Sequence, residues 1–458
     1  MAVRSGTKVS LDTILSNIHK EFHISTDHIR TIIKQFHVEM TKGLDHEGAT
    51  LPMIPTYVTG RPSGKETGHY LALDLGGTNL RVCSFDLQGQ GNYSVHQQKY
   101  VISDELKTGE MRDLCGFIAD CVDNFISEHG SDHLQDALQL GFTFSFPVLQ
   151  TDINRGTLMR WTKGFACSGA INKDVVVLLQ DAFLRKNLNV NIAAIVNDTV
   201  GTLMAHSYLN PTTTMGVILG TGTNACYYEK RANIKKWKDT ANTFDEMVVN
   251  MEWGAFDNER RVLPLTVYDN KLDRESINPR QQIFEKMISG MYLGEIVRNA
   301  TLSLVDQSLL FDGQSSKDLN QQWGFETAYM TTILADTSSD LARVQHVLQD
   351  ILQIPNTTLQ DCTIVQRICF LVAQRAARLS AAGIAAVLSF TSNIDHACSV
   401  AIDGSVYEFL PGFEGHMKAL LVELFGDAVH DRIQFALAKD GSGFGAAILA
   451  MVAHNDTQ

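Results

Sequence analysis

The stretch 71-LALDLGGTNLRV-82 joins two apolar runs through a turn that carries more polar groups than a turn needs. An Asn-Gly or Asp-Gly pair alone closes a tight hairpin, so Asp74, Thr78 and Asn79 are surplus to chain reversal. Glycines at such a place let backbone N–H groups converge on an anion, and a hydroxyl adds a donor. The same layout returns in 215-MGVILGTGTNACYY-228, again an apolar run, a Gly-Thr turn with Asn, and an apolar run. Two copies predict two related α/β halves that face each other. A third glycine-rich segment, Gly441-Ser442-Gly443, opens an Ala-rich helix, whose N-terminal dipole suits a phosphate. A capped helix packed tightly on a sheet would account for that segment equally well. Together, Gly76-Gly77, Gly220-Thr221-Gly222 and Gly441-Ser442-Gly443 fit a nucleotide polyphosphate.

Two other phosphate motifs fail. GRPSGKE (60–66) has three residues between its glycines where a Walker A loop has four, and Glu66 replaces the hydroxyl that holds Mg²⁺. GTGTNA (220–225) matches the dinucleotide fingerprint, which must open a helix. Here it runs into the β-like CYYEK, which demotes a Rossmann oxidoreductase.

At 458 residues the chain predicts two or three domains. A net charge of −13 argues against nucleic acid or an anionic membrane as main partner. The eight cysteines form no CxxC pair, and HExxH is absent, so reduced, mostly buried thiols in a reducing compartment are expected rather than a disulfide or zinc framework. The N-terminus has no apolar signal segment. The longest apolar run, AAGIAAVLSF (381–390), falls short of the ~18 residues of a membrane span. A cytoplasmic protein is expected; monomer and homodimer both remain open.

Ile29, Ile32, Ile33, Phe36 and Met40 predict an amphipathic helix over 27–42, with an N-cap among Ser25, Thr26 and Asp27 and a stop at Gly43. Strands are expected near 71–86, 139–145, 192–197 and 215–228, and one or two long helices over 363–388. CSVAIDGSVYEF (398–409) reads as a strand pair turning at Asp403-Gly404.

Between the first two glycine turns lie polar residues in apolar settings. LGFTFSFP (140–147) ends in Ser145 and Pro147, and RWTKGF (160–165) supplies Thr162 and Lys163. IVNDTVGTLMA (195–205) ends a strand at Asn197-Asp198. Asp198 there is either a helix N-cap or a general base in the crevice at the C-terminal strand ends. Further on come Asn224, Glu252 in NMEWGAF (250–256), and Glu285 in a helix. This mixture of carboxylates, amides and hydroxyls suits a neutral, hydroxyl-dense molecule, since carboxylates accept from hydroxyls while Asn and Lys donate to oxygens.

LALDLGGTNLRV, LGFTFSFPV, RWTKGF, NDTVGT, LGTGTNACY, NMEWGAF, FEKMISGMYLGE and DGSGFGAA stand in the order found in the eukaryotic hexokinase family, which the chain resembles from about residue 10 to its end. It looks like one single unit of the fungal type, and PMIPTYVTG, RVCSFDLQG and GTLMRWTKGF look closer to fungal glucokinases than to fungal hexokinases. Arg280, in NPRQQ, stands where the family usually has Gly, which questions the local loop geometry.

The resemblance implies a two-lobed, actin-like (ribonuclease-H-like) α/β fold with a cleft. The small lobe would hold 62–197 plus 440–458, the large lobe 1–61 plus 198–439. It implies ATP-dependent phosphorylation of the 6-hydroxyl of glucose or of a related hexose, with ATP and Mg²⁺. Broad-specificity hexokinase is the alternative, ahead of a non-catalytic sugar sensor. Asp198 would be the base and Lys163 would stabilise charge. Ser145, Thr162, Lys163, Asn197, Asn224, Glu252 and Glu285 would hold the sugar. Gly76, Gly77, Thr78, Asn79, Arg81, Gly220, Thr221, Gly222, Thr223, Gly441, Ser442 and Gly443 would hold phosphates, and Asp74 would bind Mg²⁺ through water.

Overall fold

The computed structural model describes residues 9–76, 79–129, 136–161, 164–238, 244–439 and 441–455. Two N-terminal helices, α1 (Leu11–Phe22) and α2 (Thr26–Asp45), precede the sheets. Ser25 caps α2 by accepting the His28 amide at 3.3 Å. Ile29, Ile32, Phe36 and Met40 point into the core, as their spacing predicts. Gly43 does not stop this helix, which runs on to Asp45. A Cβ at Gly43 would collide with the Leu51 carbonyl and the Met53 side chain, so the glycine serves a close chain crossing.

The first sheet contains β1 (Thr67–Leu75), β2 (Asn79–Gly89), β3 (Asn92–Val101), β4 (Leu138–Phe144) and β5 (Val190–Val196), in the order β3-β2-β1-β4-β5. Strands β1 to β3 form an antiparallel meander, and β4 and β5 run parallel to β1. Helices α3 (Met111–His129) and α4 (Val175–Arg185) share one apolar core with this sheet. Helix α5 (Asp198–Leu209) follows.

The second sheet repeats that arrangement. Strands β6 (Thr213–Leu219), β7 (Thr223–Lys230) and β8 (Glu246–Asn250) form the meander. After α6 (Gly290–Asp306) and α7 (Leu359–Phe390), strands β9 (Cys398–Asp403) and β10 (Ile433–Leu437) add in parallel. The order is β8-β7-β6-β9-β10, with the two-residue strand Ile54–Pro55 added beside β8. The repeated Gly-Thr-Asn turns thus mark the same β-β connection in two sheets of one topology, as the sequence echo predicts.

The expected hairpin over 398–409 is corrected. β9 ends at Asp403, and Ser405–Phe409 is a short helix. Gly404 (φ 123°) lies against the Leu219 carbonyl, leaving no room for a Cβ. The membrane reading of the long helix also needs correction. α7 is long and apolar enough by length and composition to span a bilayer, because residues 364–373 and the alanines beyond extend the apolar content past residues 381–390, but 89% of its apolar window is buried inside the protein.

The last helix, α8 (Gly441–Asn455), packs on β1, β4 and β5 and against α5. Gly441 to Gly445 form its first turn rather than a loop before it. A Cβ at Gly445 would overlap the Gly201 carbonyl in α5, and one at Gly141 in β4 would overlap the Ala446 carbonyl in α8. Helices α5 and α8 share a core with residues of both sheets, including Ala72, Val196, Cys226 and Val248. α5, expected in the large lobe alone, is therefore a layer between the two.

Candidate active site

Strand register builds one wall. Asp74 of β1 pairs with Thr143 of β4, which pairs with Val196 of β5. The C-terminal strand ends therefore carry Asp74, Ser145 and the pair Asn197-Asp198 to one edge, the position where open parallel sheets bind ligands. Asn197 resolves the ambiguity at the start of α5. Its Oδ1 accepts the Val200 amide at 2.9 Å, so Asn197 is the cap. Asp198, the first helical residue, is released from capping and receives the Thr199 hydroxyl at 3.3 Å.

The opposite wall comes from β7, β8 and the helix Ile283–Ile288. Asn224 Nδ2 donates to Asn250 Oδ1 at 2.8 Å and to Glu252 Oε1 at 3.1 Å, and Asn250 Nδ2 donates to the same Oε1 at 2.9 Å. Glu252 stands in a left-handed backbone conformation (φ 53°), an unusual one for a residue with a side chain. Burial raises the Glu252 carboxyl above its ordinary value; the Asn250 amide opposes this and Asp198 reinforces it. Glu285 is raised too, by burial first, while the Thr223 amide at 3.0 Å opposes and Glu252 reinforces the shift. Asp198 thus acts on Glu252, and Glu252 in turn on Glu285.

Phosphate-loop residues divide. Ser442 donates its hydroxyl to Asp74 at 3.1 Å, joining the first glycine turn to the start of α8. Arg81, opposite Asp74 on β2, places Nε 3.6 Å from the same carboxylate and so braces it. The Gly76 amide donates to the Asn79 carbonyl at 3.0 Å, closing the turn. In the second turn the Gly220 and Thr221 carbonyls accept the Gly290 and Met291 amides, fastening it to the start of α6. Thr223 is corrected as a phosphate ligand. Its one hydroxyl proton goes to the Ile218 carbonyl at 2.8 Å and its oxygen accepts Trp253 Nε1 at 2.9 Å, so no donor remains for an anion. Gly222 lacks a side chain because a Cβ would come within 2.9 Å of Glu285 Oε2. Gly441 belongs to helix packing, since a Cβ there would meet the Thr202 backbone at 3.1 Å, whereas a Cβ on Gly443 would make only an ordinary contact with Cys83 Sγ at 3.9 Å. Gly77, Thr78, Thr162 and Lys163 lie outside the described residues.

Three contributors escaped the sequence reading. Asn250 links Asn224 to Glu252, the Gln282 side chain opposes the rise of the Glu285 carboxyl, and Arg160 exerts an opposing pull on Glu252. Asn250 was findable from its position two residues before Glu252 at a strand end. Gln282 and Arg160 carry no local signal.

Among the described residues no three His, Cys, Asp or Glu side chains form a metal cluster, and all eight cysteines are free and buried.

Two sheets of one topology, each presenting a glycine turn, with acids and amides gathered between them, define a two-lobed, actin-like sugar kinase. Family models described as hexokinase match residues 14–208 and 214–452. The chain is 42% identical to a glucokinase of Aspergillus niger over 96% of this chain and 97% of that one. It is 40% identical to hexokinase-2 of Saccharomyces cerevisiae over 96% and 92%. A Schistosoma mansoni hexokinase structure complexed with glucose superposes with a TM-score of 0.85 at 36% identity, covering 96% of this chain and 99% of that one. The chain belongs to the hexokinase family and is an ATP-dependent hexose kinase.

Proposed function

We propose that the chain transfers the γ-phosphoryl group of ATP to the 6-hydroxyl of glucose, with Asp198 accepting the hydroxyl proton. The observation that carries this reading is the division of labour at α5: Asn197 caps the helix, and the Asp198 carboxylate, free of that duty, is close enough to Glu252 to act on it electrostatically. Ser145, Asn197, Asn224, Glu252 and Glu285 hold the sugar, together with Thr162 and Lys163; Lys163 also neutralises charge on the transferring group. The glycine turns hold the phosphates, with Ser442 steadying the first.

Asp74 fits Mg²⁺. It is a buried hard-oxygen donor at the phosphate turn, and Mg²⁺ commonly takes one or two carboxylates, several waters and substrate phosphates. When bound, the ion would offset phosphate charge. Water competes with the sugar as acceptor, so hexose binding should draw the lobes together and complete the site. The free, buried thiols suit a reducing compartment, and we place the enzyme in the cytosol.

Glucose is favoured because the Aspergillus niger relative is named a glucokinase and the Schistosoma mansoni structure is a glucose complex. Coupled phosphorylation assays with glucose, fructose and mannose test this. Glucose should be turned over in clear preference to fructose; equal fructose turnover would make the enzyme a broad-specificity hexokinase.

A further inference from the structure

Asn250 is buried, with 8% of its surface exposed, at the last position of β8. Its amide sits between two side chains of the sugar wall, and their orientation follows step by step. The Asn224 carbonyl oxygen accepts the Ala225 amide at 2.7 Å, which turns Asn224 Nδ2 toward Asn250. Asn250 must then present Oδ1 to that donor at 2.8 Å, which leaves its Nδ2 for Glu252 Oε1 at 2.9 Å. Both amides converge on Oε1, and Oε2 stands outside the triangle. Glu252 needs such a hold, because its left-handed backbone is one that side-chain-bearing residues seldom adopt unaided.

We propose that Asn250 is a positioning residue for hexose binding, its amide fixing Glu252 and Asn224 in the orientation in which they meet the sugar. The inference rests on the reading that Glu252 and Asn224 hold the hexose. Amide donation also favours the ionised carboxylate, the form that accepts sugar hydroxyls. Three charged groups act on Glu252 besides: Asp198 from the start of α5, Glu285 from the helix Ile283–Ile288, and Arg160 from the segment after the hairpin of residues 148–158. Of these, Arg160 alone favours ionisation, so the loss of Asn250 should be felt as a higher carboxyl pKa.

The test compares Asn250→Ala, Asn250→Asp and Glu252→Gln in steady-state assays across about pH 6–8.5. Asn250→Ala should raise the glucose KM about tenfold or more, with kcat and the ATP KM little changed, and should move the acid limb of kcat/KM for glucose to higher pH. Asn250→Asp preserves shape but adds a carboxylate beside Glu252. Its glucose KM should exceed that of Asn250→Ala at about pH 8 and fall as the acid pair takes up a proton toward about pH 6. If the alanine variant does not fold, the aspartate variant's pH dependence decides. A lowered unfolding midpoint with the glucose KM and pH profile of both variants unmoved would overturn the proposal and leave Asn250 a packing residue. Glu252→Gln separates the two levels. No rise in its glucose KM overturns the reading of the wall itself; a rise there without one in the Asn250 variants overturns this inference alone.

Discussion

Asn197 caps the helix that Asp198 begins, its Oδ1 2.9 Å from the Val200 amide. The two adjacent side chains therefore fail differently when removed. Asn197→Ala deletes a cap and should lower stability by about 1 kcal/mol, visible as a lower urea midpoint. Asp198→Ala deletes the base. General-base removal costs ~10²–10⁴-fold, so turnover should fall by at least that range while binding of a non-hydrolysable ATP analogue persists. Near-normal turnover in Asp198→Ala would discard the base assignment.

The paired acids on the other wall should show a conflict between activity and stability. Burial raises the Glu252 and Glu285 carboxyls, so the folded chain binds these protons more readily than the unfolded chain does. The resulting stabilisation is present below the unfolded carboxyl range and is lost as pH rises through the raised folded values. Near neutrality each ionised acid destabilises the fold. Glu285→Gln and Glu252→Gln should therefore unfold at higher temperature than the parent at about pH 7–8, with the gap closing toward about pH 4. Both should raise the glucose KM with less effect on ATP. A lower melting temperature at neutral pH would contradict the sign.

What was legible in the sequence was local chemistry. The surplus groups of LALDLGGTNLRV and their echo at 215–228 reveal two sheets of one topology, because turn composition and strand ends are short-range properties. Asn250 was legible only as a local neighbour of Glu252; its link to Asn224, which completes the positioning role, comes from the pairing of β7 with β8. The misread glycines share one cause. Gly43, Gly404 and Gly441 look like local punctuation, yet each admits a distant piece of chain: the Leu51 carbonyl, the Leu219 carbonyl and the Thr202 backbone. Thr223 was misassigned for the same reason, as Trp253 and Ile218 claim its hydroxyl only in three dimensions.

Arg280 is exposed and left-handed, with φ 63°, and its amide donates to both carboxylate oxygens of the buried Asp273, at 2.9 and 3.0 Å. The same Asp273 pairs with Lys286 at 2.7 Å, immediately after Glu285. The loop geometry thus survives the side chain, at the cost of a conformation that disfavours L-residues by roughly 1–2 kcal/mol, partly offset by the entropy glycine loses on folding. Arg280→Gly keeps the amide and should stabilise the protein by about 0.5–1 kcal/mol in urea titration, with an unchanged glucose KM. A loss of stability would mean that the guanidinium makes a compensating contact.

The seat of α8 gives the sharpest stability contrast. Gly445 and Gly201 let α8 and α5 touch backbone to backbone, and Gly141 does the same between β4 and α8. A methyl group at Gly445 has no flexible neighbour to displace, only the Gly201 carbonyl, so α8 must move off α5 and disturb Ser442 at Asp74. Gly445→Ala should cost about 3 kcal/mol, at the upper end of overpacking, and raise the ATP KM together with the loss of stability. Gly116, inside α3, is the control, because a Cβ there meets nothing within 4 Å. Gly116→Ala should stabilise by about 0.5–1 kcal/mol through helix propensity alone. If both substitutions behave like Gly116→Ala in urea titration, the close seat of α8 is wrong, and with it the route by which the C-terminal helix reaches the phosphate turn.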